Sequence, residues 1–197
     1  MSKLQDIIEE IKALEKELVR EIERKEDDFL YKIRGKRVYF EEETRKYHRK
    51  FETRIHAYLL DASLLNILTA PVIWFCIVPA VFLDLVVSIF QWVCFGVYGI
   101  PKVKRKDFIV IDRQSLAYLN PIEKLNCVYC GYFNGLVGYV QEIAARTEQY
   151  WCPIKHARKL TSIHNRYHKF LEYGDCREYQ RNIESVRRDF SDVRGDG

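Results

Sequence analysis

Apolar residues near the start of the chain fall at Leu4, Ile7, Ile8, Ile11, Leu14, Leu18 and Ile22, three or four apart with charges between them. That spacing predicts an amphipathic helix with a heptad-like stripe. Gly35 marks the first clear break. A second periodic segment, residues 38–61, carries Phe40, Tyr47, Phe51, Ile55, Tyr58 and Leu59 mostly four apart and predicts a second helix. Arg45, Lys46, Arg49, Lys50 and Arg54 lie between these marks, a basic and aromatic pattern suited to anionic head groups. The periodicity then stops. Residues 62–101 form an apolar block whose one charge is Asp84. As one helix these forty residues would be about 60 Å long, twice the hydrocarbon core of a bilayer. The block therefore predicts two spans or a re-entrant hairpin, with Pro79 and Asp84 at its tip, where a helix breaker and a charge are tolerated.

Downstream, residues 107–112 are β-branched and predict a strand or an extended connector. Asn120-Pro121 supplies a cap and a first-position proline, so a helix starts there; Gly131 is expected to stop it. A second helix is expected over 136–151, ended by Cys152-Pro153, and a third from there to about Tyr173. Gly174 ends the third, and Asp175 caps a last helix to about Phe190. The fold expected is mainly α. It comprises a helical arm (1–61), a membrane hairpin (62–101), a small helical cytoplasmic domain holding cysteines (102–192), and a frayed tail (193–197).

Charge follows the same division. Residues 1–61 balance, the apolar block contributes −1, and residues 102–197 carry a net +5, giving the total of +4. Both flanks of the block are cationic, the second through Lys102, Lys104, Arg105 and Lys106. The positive-inside rule thus puts both in the cytoplasm. Beside a bilayer, the basic C-terminal part is explained by anionic lipid rather than by nucleic acid. The N-terminus, with acids from position 6, lacks the apolar core of a secretory signal, which points to a reducing compartment for the six cysteines.

The stretch from Tyr118 to Gly135, containing Asn126-Cys127-Val128-Tyr129-Cys130-Gly131, and the stretch from Ala145 to Arg158, containing Trp151-Cys152-Pro153-Ile154-Lys155-His156, carry a resemblance. Over residues 60–175 the chain resembles a family of bacterial membrane proteins of similar size, with an apolar hairpin before the same cysteine motif. The resemblance implies a bacterial inner-membrane setting and places Cys127, Cys130, Cys152 and His156 in one signature. It implies no activity.

Cys127-x-x-Cys130-Gly131 has the form of a metal knuckle, and Cys152-x-x-x-His156 adds ligands one helical turn apart. Together they would make a Cys₃His site suited to zinc, with iron possible. Distance is the objection: a helix over 136–151 is about 24 Å long and separates the half-sites. The site would need a break near Gly135 or Gly138, a meeting of two subunits, or a helical hairpin bringing His168 and Cys176 to Cys127 and Cys130 instead. Reduced packing thiols and a redox dithiol are the other readings. His164 and His168 could form a ligand pair or a packed face, and Glu142 and Arg146 an ordinary i,i+4 pair.

The reading is a membrane-anchored, metal-binding, non-enzymatic assembly or accessory module on the cytoplasmic face of a bacterial inner membrane, with both termini cytoplasmic. Its expected partners are the bilayer, further copies of the chain through the N-terminal helix, and another membrane protein. The alternative is a thiol- or metal-dependent enzyme at the membrane surface with Cys127 and Cys130 as its reactive pair.

Overall fold

The computed structural model describes residues 3–28, 31–34 and 37–193. The chain is mainly helical and divides into two units: residues 1–62 with 112–128, and residues 63–111 with 129–197.

In the first unit, α1 (Lys3–Asp28) is one unbroken helix on which Ile11, Leu14, Leu18 and Val19 are all exposed. The side chains of Leu4, Ile7, Ile8 and Ile22 lie outside the described residues, as do Gly35 and most of the tail expected over 193–197. The second helix expected over 38–61 is divided. Its start is a strand: β1 (Tyr31–Arg34) pairs antiparallel with β2 (Arg37–Phe40), with Tyr31 opposite Phe40 and Ile33 opposite Val38. Aromatic and β-branched residues suit a pleated surface, and the cross-strand ring contact of Tyr31 with Phe40 favours the hairpin over the four-residue spacing read as helical. Helix α2 (Glu42–Arg49) follows, then α3 (Ile55–Asp61). The rings of Phe40, His48 and Tyr118 meet edge to face in series at centroid distances of 5.2 and 5.5 Å.

The second unit begins with the apolar block. Its expected reversal at 79–84 is absent, because Pro79 and Asp84 both lie within helix. Helices α4 (Leu64–Phe75) and α5 (Ile77–Phe90), a π turn over Gln91–Phe95, and α6 (Gly96–Tyr98) form one apolar run of 35 residues. Pro71 and Pro79 have no N–H for the carbonyls of Ile67 and Phe75, and at Cys76 the N–H bonds back to Ile73 instead of one residue further, yet the helix continues. The run ends at Gly99, left-handed at φ 67°, with the Ile100 N–H on the Phe95 carbonyl. This closure satisfies a terminal carbonyl and favours glycine.

The chain returns through the short α7 (Arg105–Phe108) and an extended stretch; the strand considered over 107–112 is a connector. Helix α8 (Pro121–Trp151) follows as a single 31-residue helix. Its start matches expectation: the Asn120 Oδ1 accepts from the Glu123 N–H at 2.9 Å and Glu123 Oε2 accepts from the Asn120 N–H at 2.8 Å, a reciprocal capping box. Gly131 does not stop it. Gly131, Gly135 and Gly138 instead form a groove for the return segment. A Cβ on Gly135 would stand 2.5 Å from the Phe108 carbonyl oxygen and 2.8 Å from the Ile109 Cα. The third expected helix is an irregular loop, closed by a parallel bridge between Ile154 and Leu171. Asp175 does cap α9 (Cys176–Arg188), accepting from the N–H groups of Arg177 and Glu178. Ala80, Phe95, Ile100, Val103, Leu136, Tyr139, Ile143 and Phe190 form the core of this unit.

Candidate functional site

Besides Ile73 and Trp74 against Tyr129, Phe90 against the core, and Tyr98 against Tyr150 and Trp151, the apolar helix touches the rest of its unit along one stripe: Ala80, Asp84, Val87, Ser88, Gln91 and Phe95. These positions repeat at three and four and so share one helical face. Two of them are polar and buried. The Asp84 carboxylate receives Arg105 as a fork, from Nε at 3.1 and 3.2 Å and from Nη2 at 2.6 Å. It also accepts from the Tyr132 hydroxyl at 3.0 Å and the Ser88 hydroxyl at 3.4 Å. A carboxylate in an apolar helix is costly unless it is paired and hydrogen-bonded, and here both conditions hold. Two turns beyond Asp84, the Gln91 amide clasps the backbone of Val103, accepting from its N–H at 2.9 Å and donating to its carbonyl at 3.3 Å. Gln91 also donates to the Tyr139 hydroxyl, which is 3.3 Å from the Ser88 hydroxyl. The return segment is thereby pinned along the helix at two levels, Val103 beside Gln91 and Arg105 beside Asp84.

A second polar cluster ties α8 to the C-terminus. Arg166, 3% exposed at its side chain, donates from Nε to Glu142 at 3.2 Å, from Nη1 to Gln149 Oε1 at 2.8 Å and from Nη2 to Asp192 at 3.1 Å. Arg146 donates to the same Glu142 oxygen at 2.7 Å and to the Pro101 carbonyl at 2.7 Å. The i,i+4 pair expected of Glu142 and Arg146 is therefore present, within a larger network. Gln149 is fully buried and uses both amide hydrogens on carbonyls at the end of α9, Val186 at 2.9 Å and Asp189 at 2.7 Å. Lys169 bridges Asp189 and Asp192 at 3.1 and 2.8 Å. The hydrogen bond from the Ser191 hydroxyl, followed by that from Lys169, holds the Asp189 carboxyl below the usual carboxylate range against the effect of burial. Burial pushes the Asp192 carboxyl up, but the Lys169 hydrogen bond and the charges of Arg166 and Lys169 outweigh it, so it too lies low. These groups form a closed set of partners that holds structure together.

At the end of α8, Glu148 faces two histidines. His164 Nε2 lies 3.0 Å from one carboxylate oxygen and His156 Nε2 4.0 Å from the other. His164 Nδ1 accepts the Arg166 backbone N–H at 3.2 Å, which leaves Nε2 to carry the proton toward Glu148. His164 thus has Glu148 as its partner, and the pairing considered with His168 is not seen.

The expected ligand set is not brought together within one chain. Cys127 and Cys130 stand one turn apart on α8, the first half-buried and the second exposed. Cys152 and His156 are exposed beyond its other end. Because α8 runs unbroken through Gly135 and Gly138, Cys130 and the end of the helix at Trp151 are about 31 Å apart. The route through His168 and Cys176 required a helical hairpin turning at residue 152, and a loop stands there instead. Among the described residues no three His, Cys, Asp or Glu side chains are gathered to hold a metal ion. A zinc or iron site using Cys127, Cys130, Cys152 and His156 would need more than one copy of the chain.

Sequence reading missed the Asp84–Arg105 fork, the Gln91 clasp and the Arg166 network. The available signal was a set of polar residues spaced 84, 88, 91 inside an apolar run, which share one helical face and so mark the side that meets polar partners. No family model matches the chain, and neither a curated protein nor a solved structure was found to be similar to it.

Proposed function

We propose that this chain is a membrane-anchored, non-enzymatic assembly or accessory module of a bacterial inner membrane, in which the helix of residues 64–98 is the anchor and the residues after it fold against its polar stripe. The observation that carries the reading is the exposure of that helix. Leu64, Phe82, Trp92 and Val97 are each about 70% exposed or more, and Leu68, Val72, Phe75, Val78, Leu85 and Ile89 are exposed with them. An apolar surface of this extent is far larger than soluble monomers leave in water. Lys102, Lys104 and Lys106 follow the anchor at once, which suits anionic head groups.

Helix α1 supplies the assembly element. Its stripe of Ile11, Leu14 and Leu18 is exposed on a 26-residue helix, and confinement at a membrane raises the effective concentration of neighbours. In cells, the protein should sediment with membranes and stay there through high salt and alkaline carbonate; release by carbonate would overturn the anchor. Substituting Ile11 and Leu14 with Glu should reduce oligomer size in detergent while the C-terminal residues stay folded. Unchanged oligomer size would remove α1 as the contact.

A further inference from the structure

Taking the anchor as membrane-seated, we infer that its helix lies along one face of the bilayer as a one-sided insertion, with the return segment on its water side, and does not cross. The length of the helix and the course of the return segment carry this. Thirty-five helical residues are about 52 Å long, well beyond the hydrocarbon core of about 30 Å. Val103 is fixed beside Gln91 and Arg105 beside Asp84, so the chain runs back along the helix after Tyr98. Asp84 is 14 residues from Tyr98, about 21 Å. Lys102, Lys104, Arg105, Lys106 and Asp107 are all exposed along that course.

A crossing helix has two placements. With Tyr98 at one boundary, Arg105, Lys106 and Asp107, at the level of Asp84, sit deep in hydrocarbon, where charge is costly. With the boundary at Asp84, the 20 residues from Leu64 to Leu83 span, and Leu85, Val86, Ile89, Trp92, Val93 and Val97, all exposed, stand in water. A helix lying along the membrane avoids both costs. At 100° per residue the stripe from Ala80 to Phe95 takes about a third of the circumference, and the exposed apolar side chains occupy the remainder. That remainder enters lipid, while the stripe and the lysines face the head groups. The cation run selects an anionic surface by charge, and a helix that does not cross leaves its two cationic flanks on the same side.

The test uses the full chain incorporated into sealed vesicles of phosphatidylethanolamine and phosphatidylglycerol, then exposed to a membrane-impermeant amine-acylating reagent. Detergent-dissolved protein serves as the reference in which both Lys12 and Lys106 react. The expected result is that any molecule tagged on Lys12 is also tagged on Lys106, read by mass spectrometry of single intact chains. Molecules tagged on one of the two lysines and not the other overturn the one-sided seat while leaving the anchor in place. Failure of the chain to associate with these vesicles overturns the membrane reading itself.

Discussion

Asp84 in the apolar helix faces one cation, Arg105, whose side chain is about half exposed, with two hydroxyls filling the remaining acceptor positions. Arg166 in the C-terminal cluster is almost wholly enclosed and faces two carboxylates, a glutamine amide and, 5.2 Å away, the ring of Phe190. The first pair joins a helix to a strap 21 residues further on. The second joins three stretches, with partners 17 to 26 residues from Arg166. A half-exposed partner can be replaced in part by water, whereas an enclosed one cannot. Loss of one member should therefore cost more in the second cluster than in the first.

The strongest way to break that contrast is Arg166→Ala. It leaves the buried Gln149 Oε1 without a donor and Glu142 with Arg146 alone, and should destabilise the C-terminal residues by about 3 kcal/mol, toward the low end of what removal of one member of a buried pair costs. Denaturant unfolding measures it, and a loss under 1 kcal/mol would place the cluster among ordinary surface pairs. Asp84→Asn keeps the shape but gives up the charge that Arg105 reads; its expected cost is about 1–3 kcal/mol, seen as earlier proteolysis between residues 102 and 108. Gly135→Ala tests the strap from its other side. The added Cβ meets backbone rather than a flexible side chain, and a cost of about 1–3 kcal/mol follows from overpacking. Gly96→Ala meets nothing within 4 Å and is the matched control, neutral or slightly stabilising.

Acid separates the clusters more gently. Asp189 and Asp192 have lowered values in the fold, so their contribution is intact above the unfolded carboxylate value of about 3.9 and fades as pH falls through the lower folded values. Asp192→Asn should flatten the loss of C-terminal stability below about pH 4; an unchanged acid limb would remove Asp192 as a contributor. The smallest effect is expected at the cysteines. With its presumed co-ligands at the far end of α8, Cys127→Ser should shift stability by no more than about 0.5 kcal/mol. Unfolding with release of zinc or iron would instead establish the metal set between copies.

What was legible in the sequence was local. Asn120, Pro121 and Glu123 spell the start of α8 within four residues, Cys152-Pro153 ends it, and Asp175 caps α9. The apolar block was legible from its composition, but its path was not. Pro79 and Asp84 suggested a turn because each is costly in a lone helix, and the partner that settles Asp84 is 21 residues away. Gly131, Gly135 and Gly138 were read as breakers; their use is to admit a neighbouring backbone, which depends on what packs there. The third helix failed for the same reason, since His164, Arg166 and Lys169 find their partners on α8 and in the C-terminal residues rather than within a helix of their own. For the metal set, spacing in the chain offered two pairs of possible ligands, and the unbroken α8 keeps the two halves apart.

The glycine groove also bears on the order in which the chain can be assembled during synthesis. Phe108, Ile109 and Val110 lie only 21 to 30 residues before Gly131, Gly135 and Gly138, so the strap and its seat leave the ribosome within seconds of one another. Ser88, Gln91 and Val103 have by then already emerged, and Tyr139 comes next. A chain synthesised as far as residue 151 thus contains every partner of the apolar helix's polar stripe before Arg166 or Asp192 exists. Contacts of short sequence separation close early because little loop entropy opposes them, so Gln91 with Val103 and Asp84 with Arg105, 12 and 21 residues apart, can form before the C-terminal cluster does.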